Sequence, residues 1–520
     1  MTVKQATSLK WILSVLSLAV LAGLSFSRSL TGDEALTVTL AGGSFGNLIR
    51  TMSLEIHVPG YHVLLWLWTR AFGNSLAALR VFAFLPVGFL VWMGRRHFPR
   101  HGFLVLGASP FLLHLAVELR MYGLMAAAGM GILISLRRLS EGFSRRGFLL
   151  LLFFCVAGVW THHFAWPGVA AACVVLFRGG RKRESIILLL LTLLAFSPWV
   201  HNMGRQVHRF DPFGESADFE LFQLASPAQR VLGAPFSMLG TLLRFSSGTA
   251  AFRFDLFSVK SFSPWAGAGL LLFILSVVSA WLGRKTVGPG AILILAFVLL
   301  PLSYLRPGAR HFSLAYPVFA ALVAAGLDGS GALRRLLRGA IPALSLVLCV
   351  PFVLRSTMPQ RCTYDRDFRE AALVAGTGAS LGNGRLVLFL DNFSTMGVLY
   401  HLEDEGFSDL VVIHPHQQRF AEEWFIYTEH TDMVSYLLQN TDSLVQQWGA
   451  EFHLLANNPR LVRGPTFERM PGLIGIGTDM LADIDLMDCL ERHFTVEMIP
   501  LPRSQGPFSL FHVSTAVSDE

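Results

Sequence analysis

The amino-acid sequence predicts a polytopic α-helical membrane protein of about 11 spans that ends in a soluble extracytoplasmic α/β domain. Composition is the first observation behind this fold class: 53% of the 520 residues are hydrophobic and only 15% are charged, where a soluble domain carries about a quarter charged residues. One large soluble enzyme is thereby excluded. The second observation is a reversal of charge near Ser356. Residues 1–355 hold 32 Lys and Arg against 12 Asp and Glu, a formal +20, whereas residues 356–520 hold 10 against 23, a formal −13. A transmembrane domain over 1–355 and a soluble domain over 356–520 follow. The third is that the first region is a succession of apolar runs separated by short basic loops. Membrane lipids are expected partners; nucleic acid is not.

The first run, Trp11 to Phe26, follows Lys4 and Lys10 and reads as a membrane anchor rather than a cleaved signal, because many spans follow and no clean A-x-A site lies near Ser25. Further runs lie near 76–94, 101–117, 121–137, 147–160, 164–177, 184–201, 264–282, 289–305, 311–327 and 339–354. Arg95-Arg96, Arg137-Arg138, Arg181-Lys182-Arg183, Arg284-Lys285 and Arg334-Arg335 fall between runs and are expected on the cytoplasmic side. Placing all of them there makes Pro59–Phe72 a juxtamembrane or re-entrant helix, too short at about 1.5 Å per residue for a ~30 Å hydrocarbon core. The opposite face then receives outer loops 28–75 and 202–263, tight turns at 118–120, 161–163 and 306–310, and the tail. That face holds most of the acids before residue 356, among them Asp33, Glu34, Glu55, Glu118, Asp211, Glu215 and Asp255.

In the tail, Arg385–Leu390 and Asp409–His414 have the length and composition of strands, and Phe368–Ala375 and Ala421–Leu438 read as helices. Their alternation favours a parallel sheet. Gly382-Asn383-Gly384 reads as a turn before a strand, since no G-x-G-x-x-G opens a helix after it. None of the five cysteines forms a ligand-spaced pair. Cys155, Cys173 and Cys349 lie in apolar runs and read as packing, while Cys362 and Cys489 either pair or stay as thiols.

Polar residues at the outer turns are the candidates for chemistry. Asp33 and Glu34 follow the first span, where two adjacent carboxylates need water or a partner; Asp33 is also suited to cap a helix. His57 precedes Pro59-Gly60, which can open a helix, and His62 reads as a satisfied interfacial side chain. Glu118-Leu119-Arg120-Met121-Tyr122 sits between two apolar runs. There the two charges either neutralise each other or Arg120 offers its planar fork to a phosphate. His162-His163 and Arg310-His311 make two further cationic turns on the face where the positive-inside bias disfavours cations. That placement suits an anionic headgroup. Asp33, His57 and Glu118 are the candidates for holding a divalent metal ion, although no HExxH-like spacing supports one.

The order of these features, an outer Asp-Glu, a His/Pro-containing short helix, E-x-R-x-Y, T-H-H-F, a large outer loop and R-H-F-x-x-A-Y-P, resembles the GT-C superfamily of membrane glycosyltransferases. The similarity runs over about residues 8–330 and is nearest in style to bacterial protein O-mannosyltransferases and the lipid A aminoarabinose transferase. It implies a polyprenyl-phosphate sugar as donor, a lipid, glycan or protein acceptor, and an active site facing outward from a bacterial inner membrane. It also implies Asp33 as catalytic base with Glu34 beside it, and a substrate site built from His57, Glu118, Arg120, Tyr122, His162, His163, Arg310 and His311. One such base acting by direct displacement inverts the anomeric carbon. This chain departs from the family at His57-Val58-Pro59 and at Arg310-His311. The alternative from another class is a secondary transporter or flippase of a lipid-linked sugar, which would also bury charges among many spans.

Overall fold

The computed structural model of the chain describes residues 3–209, 238–246, 264–357, 367–413, 451–457, 494–499 and 508–515, apart from positions 25, 27–29, 31, 54–56, 99–100, 244, 288, 306–308 and 390–391. Glu55, Asp211, Glu215, Asp255, Cys362, Cys489 and the helix expected over 421–438 lie outside the described residues. The chain divides into two compact units. One comprises Met1–Ser27, Ser44–Gln206 and Ser226–Met358; the other comprises Arg28–Gly43, Val207–Ala225 and Pro359–Glu520.

The first unit is helical. Its described elements include α1 (Val3–Leu24) and, beyond α2 (Gly32–Gly42) of the other unit, α3 (Phe45–Met52), α4 (Gly60–Phe72), α5 (Leu76–His97), α6 (Gly102–Leu106), α7 (Pro110–Val117), α8 (Tyr122–Glu141) and α9 (Arg145–Thr161). A 3-10 turn, His163–Ala165, leads into α10 (Trp166–Arg178) and α11 (Lys182–Arg209). After α12 (Pro264–Val287) and α13 (Pro289–Leu305), a 3-10 segment, Ala309–Ala315, opens α14 (Tyr316–Leu327), followed by α15 (Ala332–Thr357). Among the described residues four helical stretches are long and apolar enough to cross a membrane: Leu76–Gly94, Tyr122–Glu141, Lys182–Met203 and Gly267–Val287. Shorter apolar helices accompany them, including Trp11–Leu24, His163–Arg178 and Phe312–Leu327. The protein is an integral membrane protein. Its outer helices expose large apolar side chains such as Leu190, Leu194, Phe153 and Trp281, which suits lipid. By contrast α8, 72% buried, is the central helix, and the Lys182–Met203 stretch of α11, 22% buried, is peripheral.

One expected span is not continuous. The run over 101–117 is divided into α6 and α7 by Gly107–Ser109. Pro110 has no N–H to continue a helix and instead begins α7, with Ser109 accepting from Leu112 N at 3.2 Å as its cap. The break also admits α1: a Cβ on Gly107 would stand 2.6 Å from Ser14 Cβ. Elsewhere small residues bring helices together. A side chain on Gly326 would overlap the Ser279 backbone, and Ser279 Oγ donates to Val323 O at 2.7 Å, so α12 and α14 meet at close range.

The second unit carries a five-stranded sheet in the order β2-β1-β3-β5-β4, built from β1 (Arg385–Phe389), β2 (Val411–Ile413), β3 (Glu451–Asn457), β4 (Phe494–Ile499) and β5 (Phe508–Thr515). β1 pairs in parallel with β2 and β3, but β5 is antiparallel to both β3 and β4. The sheet is therefore mixed rather than parallel. Strands β4 and β5, which cause the difference, lie beyond the two runs from which the parallel arrangement is expected. α16 (Asp367–Leu381) and α17 (Asn392–Asp404) pack together, and Ala371, Ala375, Leu386, Leu388, Val398 and Leu455 form the core. The Gly382-Asn383-Gly384 turn leads into β1, with Gly384 at φ +73° and Asn383 Oδ1 accepting from Arg385 N at 3.1 Å.

Candidate active site

The candidate site of the first unit grows from the short connection between α7 and α8. The helix of α7 stops at Val117, and Arg120 N donates to Glu118 O at 2.8 Å, so the chain turns within three residues. This puts Glu118 and Arg120 inside the protein, 5% and 8% exposed, with Tyr122 at 1%. Charges at that depth require partners. The described partner of Glu118 is His114, one helical turn earlier on α7, at 3.2 Å between Nε2 and Oε2. The described partner of Arg120 is His57, whose Nε2 lies 3.5 Å from Nη2. Arginine has only donors, so His57 Nε2 accepts and its ring is not fully protonated in this pairing.

Two other segments converge on the same place. Pro59-Gly60 opens α4, and a Cβ on Gly60 would overlap the Trp160 carbonyl, so the start of α4 rests directly on the end of α9. That contact brings His57 beside His162, the residue that ends α9, with ring centroids 5.7 Å apart. His162 Nδ1 accepts from Phe164 N at 3.1 Å, capping the 3-10 turn, so in the neutral ring the proton sits on Nε2. The Tyr122 ring is 6.0 Å from His162, and the His163 ring 4.6 Å. Trp160 Nε1 donates to Ala195 O at 3.1 Å, holding the end of α9 against α11.

His57, Arg120, Tyr122, His162 and His163 thus lie near one another, with Glu118 two residues from Arg120 in the same turn. Arg310 and His311 lie on the 3-10 segment Ala309–Ala315, but their side chains are outside the described residues. The segment itself packs on α8: a Cβ on Gly129 would overlap the Leu314 carbonyl. Asp33 and Glu34 belong to the second unit, in the first turn of α2, which begins at Gly32; Asp33 therefore stands inside the helix rather than at its cap. Glu34 is fully buried, and α2 packs on α17. The side chain of Asp33 is outside the described residues. His62 is buried beside Tyr61, with rings 5.8 Å apart.

Two residues belong with the site although they were not among the candidates. Arg80 on α5 is fully buried and donates through Nη1 to the Val117 carbonyl, fixing the end of α7 next to Glu118. A lone arginine one turn into an apolar span is a signal of its kind, since such a charge is costly without a partner. His114 was legible as the residue at i−4 from Glu118. Of the three metal candidates, the side chain of Asp33 lies outside the described residues. His57 Nε2 faces a guanidinium and Glu118 faces His114, and among the described residues no three His, Cys, Asp or Glu converge. The arrangement is instead a buried cation flanked by imidazoles, a set of donors suited to phosphate oxygens.

No family model matches the sequence, and no curated protein matches it. Solved structures do. The apo structure of ArnT from Cupriavidus metallidurans is similar at a TM-score of 0.55, covering 97% of this chain and 98% of that one at 12% identity. A structure of the same enzyme bound to undecaprenyl phosphate gives a TM-score of 0.50, covering 96% and 97% at 13% identity. Over nearly its whole length the chain is therefore similar in fold to ArnT.

Proposed function

We propose that the protein is a glycosyltransferase that moves a sugar from a polyprenyl-phosphate donor to an acceptor at the extracytoplasmic face of the membrane. The observation that carries this reading is the buried Arg120 with His57 and His162 beside it, in a fold similar to that of an enzyme whose structure contains undecaprenyl phosphate. Asp33 takes the proton of the acceptor hydroxyl, whose oxygen forms the new bond to the anomeric carbon while the bond from that carbon to the phosphate oxygen breaks. Arg120, with Arg310 as a further cation, offsets the charge left on the departing phosphate, and His162 offers its Nε2 proton to the same oxygens. Displacement in one step inverts the anomeric carbon. Glu118, held by His114, sets the turn that presents Arg120, and Tyr122 and His163 pack around His162. No step is routed through a metal ion.

Asp33→Asn tests the base. The variant is expected to fold and to bind polyprenyl phosphate as the wild type does, but to transfer sugar about 10²–10⁴-fold more slowly. A folded Asp33→Asn protein with full transfer would remove Asp33 from the mechanism.

A further inference from the structure

The 20 residues of α8 advance about 1.5 Å each, so roughly 30 Å separate the Arg120 end from the Glu141 end. At the Glu141 end the helical unit contains a recess, a cavity of about 710 Å³ bounded by the ends of α5, α8, α10, α12 and α14 and the beginning of α13. Its interior is apolar, with Leu133, Ile134, Val175, Leu293 and Ile294 among the lining residues. Its polar residues are His97, Arg137, Ser140, Glu141, Arg178, Thr286 and Asp328.

The charges of this recess are unevenly satisfied. Glu141 is paired with Arg137 at 3.5 Å, and Arg137 also donates to His97 O at 2.7 Å. Asp328 is paired with His101 at 2.6 Å. Both acids are thus engaged, whereas Arg178, exposed at the end of α10, has no ion-pair partner among the described residues. Arg181, Lys182 and Arg183 follow it directly. An apolar chamber with one uncommitted guanidinium at its edge, beside a basic loop, matches a ligand with an acyl chain and a phosphate. It lies at the end of the helices that the positive-inside rule assigns to the cytoplasm.

We propose that this cavity binds an anionic glycerophospholipid of the cytoplasmic leaflet, its phosphate on Arg178 and an acyl chain along Ile134, Leu293 and Ile294. The lipid joins α8, α10 and α13 at the end opposite the candidate active site. The inference goes beyond the proposed glycosyl transfer and does not depend on it; it rests on α8 crossing the bilayer.

The test uses the full-length protein, purified and equilibrated with vesicles of phosphatidylglycerol or phosphatidylcholine, with retained lipid counted by native mass spectrometry. Phosphatidylglycerol is expected to stay bound in preference to phosphatidylcholine. Arg178→Gln is expected to weaken retention about fivefold, while Arg145→Gln, an exposed cation outside the recess, leaves it unchanged. Val175→Trp, which fills the chamber, is expected to abolish it, and inorganic phosphate is expected not to displace the lipid. Equal losses from Arg178→Gln and Arg145→Gln would overturn the proposal, because they report surface charge alone. Equal retention of the two lipids, or full displacement by inorganic phosphate, would overturn it as well.

Discussion

Arg120 is the residue on which the proposed chemistry turns, because its charge is buried and its described neighbour is an imidazole acting as acceptor. Arg120→Ala is expected to lower the rate of sugar transfer by about 10²–10³-fold, the loss typical of removing one donor to developing negative charge. Arg120→Lys is expected to recover only part of it, since a point charge does not replace a planar fork. Steady-state kinetics on the two purified variants distinguish these outcomes from a merely structural role. Arg80 acts one step removed, as a positioning residue. Its bond to the Val117 carbonyl holds the turn that carries Arg120, and Arg80→Lys is expected to reduce kcat by up to about 100-fold with the phosphate ligands intact. A fall confined to folding yield, with normal kcat in the folded fraction, would contradict that role. Glu118, His57 and His162 were legible as charged or titratable residues at turns between apolar runs. Their pairing was not, because proximity across α4, α7 and α9 depends on tertiary packing that a linear pattern does not contain.

At the scale of elements, the site depends on close approaches that only glycine permits. Gly60 sets α4 on Trp160, and Gly129 sets α8 on the 3-10 segment that carries Arg310. Gly129→Ala is expected to destabilise the protein by about 1–3 kcal/mol through overpacking, seen as a lower unfolding temperature in detergent. Gly142→Ala, where a Cβ meets nothing within 4 Å, is expected to stay near the wild type. The long helices were legible from apolar runs such as 76–94 and 184–201, and the strand β1 from Arg385–Leu390. Two features escaped for physical reasons. A proline after a Gly-Ala-Ser stretch interrupts the run over 101–117 without lowering its hydropathy, and β4 and β5 are alternating half-exposed strands with weaker apolar runs than β1. The mixed sheet follows from those two strands.

At the scale of the whole molecule, the chain divides into a helical unit and a unit that carries the sheet, and pH acts on the second. In the second unit His453 on β3 is 6% exposed, opposite His512 on β5. Burial, with His512 adding to it, holds its pKa below the ordinary histidine value, while Glu451 acts in the opposite sense. The folded state thus favours the neutral ring, and the unfolded chain binds the proton more readily. This contribution to stability is present above the unfolded pKa of about 6.5 and is lost as pH falls towards the depressed folded value. Hydrogen exchange in the intact protein is expected to show β3 and β5 less protected at pH 5 than at pH 7.5, with the difference reduced in His453→Gln. The reversal of charge at Ser356 could not assign Arg28–Gly43 to a unit, since that assignment depends on α2 packing against α17.

The central claim, transfer of sugar from a lipid phosphate, is tested most directly by incubating purified protein in vesicles with a polyprenyl-phosphate donor carrying a labelled sugar and an envelope extract as acceptor. The account predicts that the label leaves the donor, that free polyprenyl phosphate accumulates, and that the label is recovered in a glycosidic bond of inverted configuration. Movement of the intact labelled donor across the vesicle membrane, with its sugar-phosphate bond unbroken and no glycosidic product, would contradict the account and assign the protein to transport.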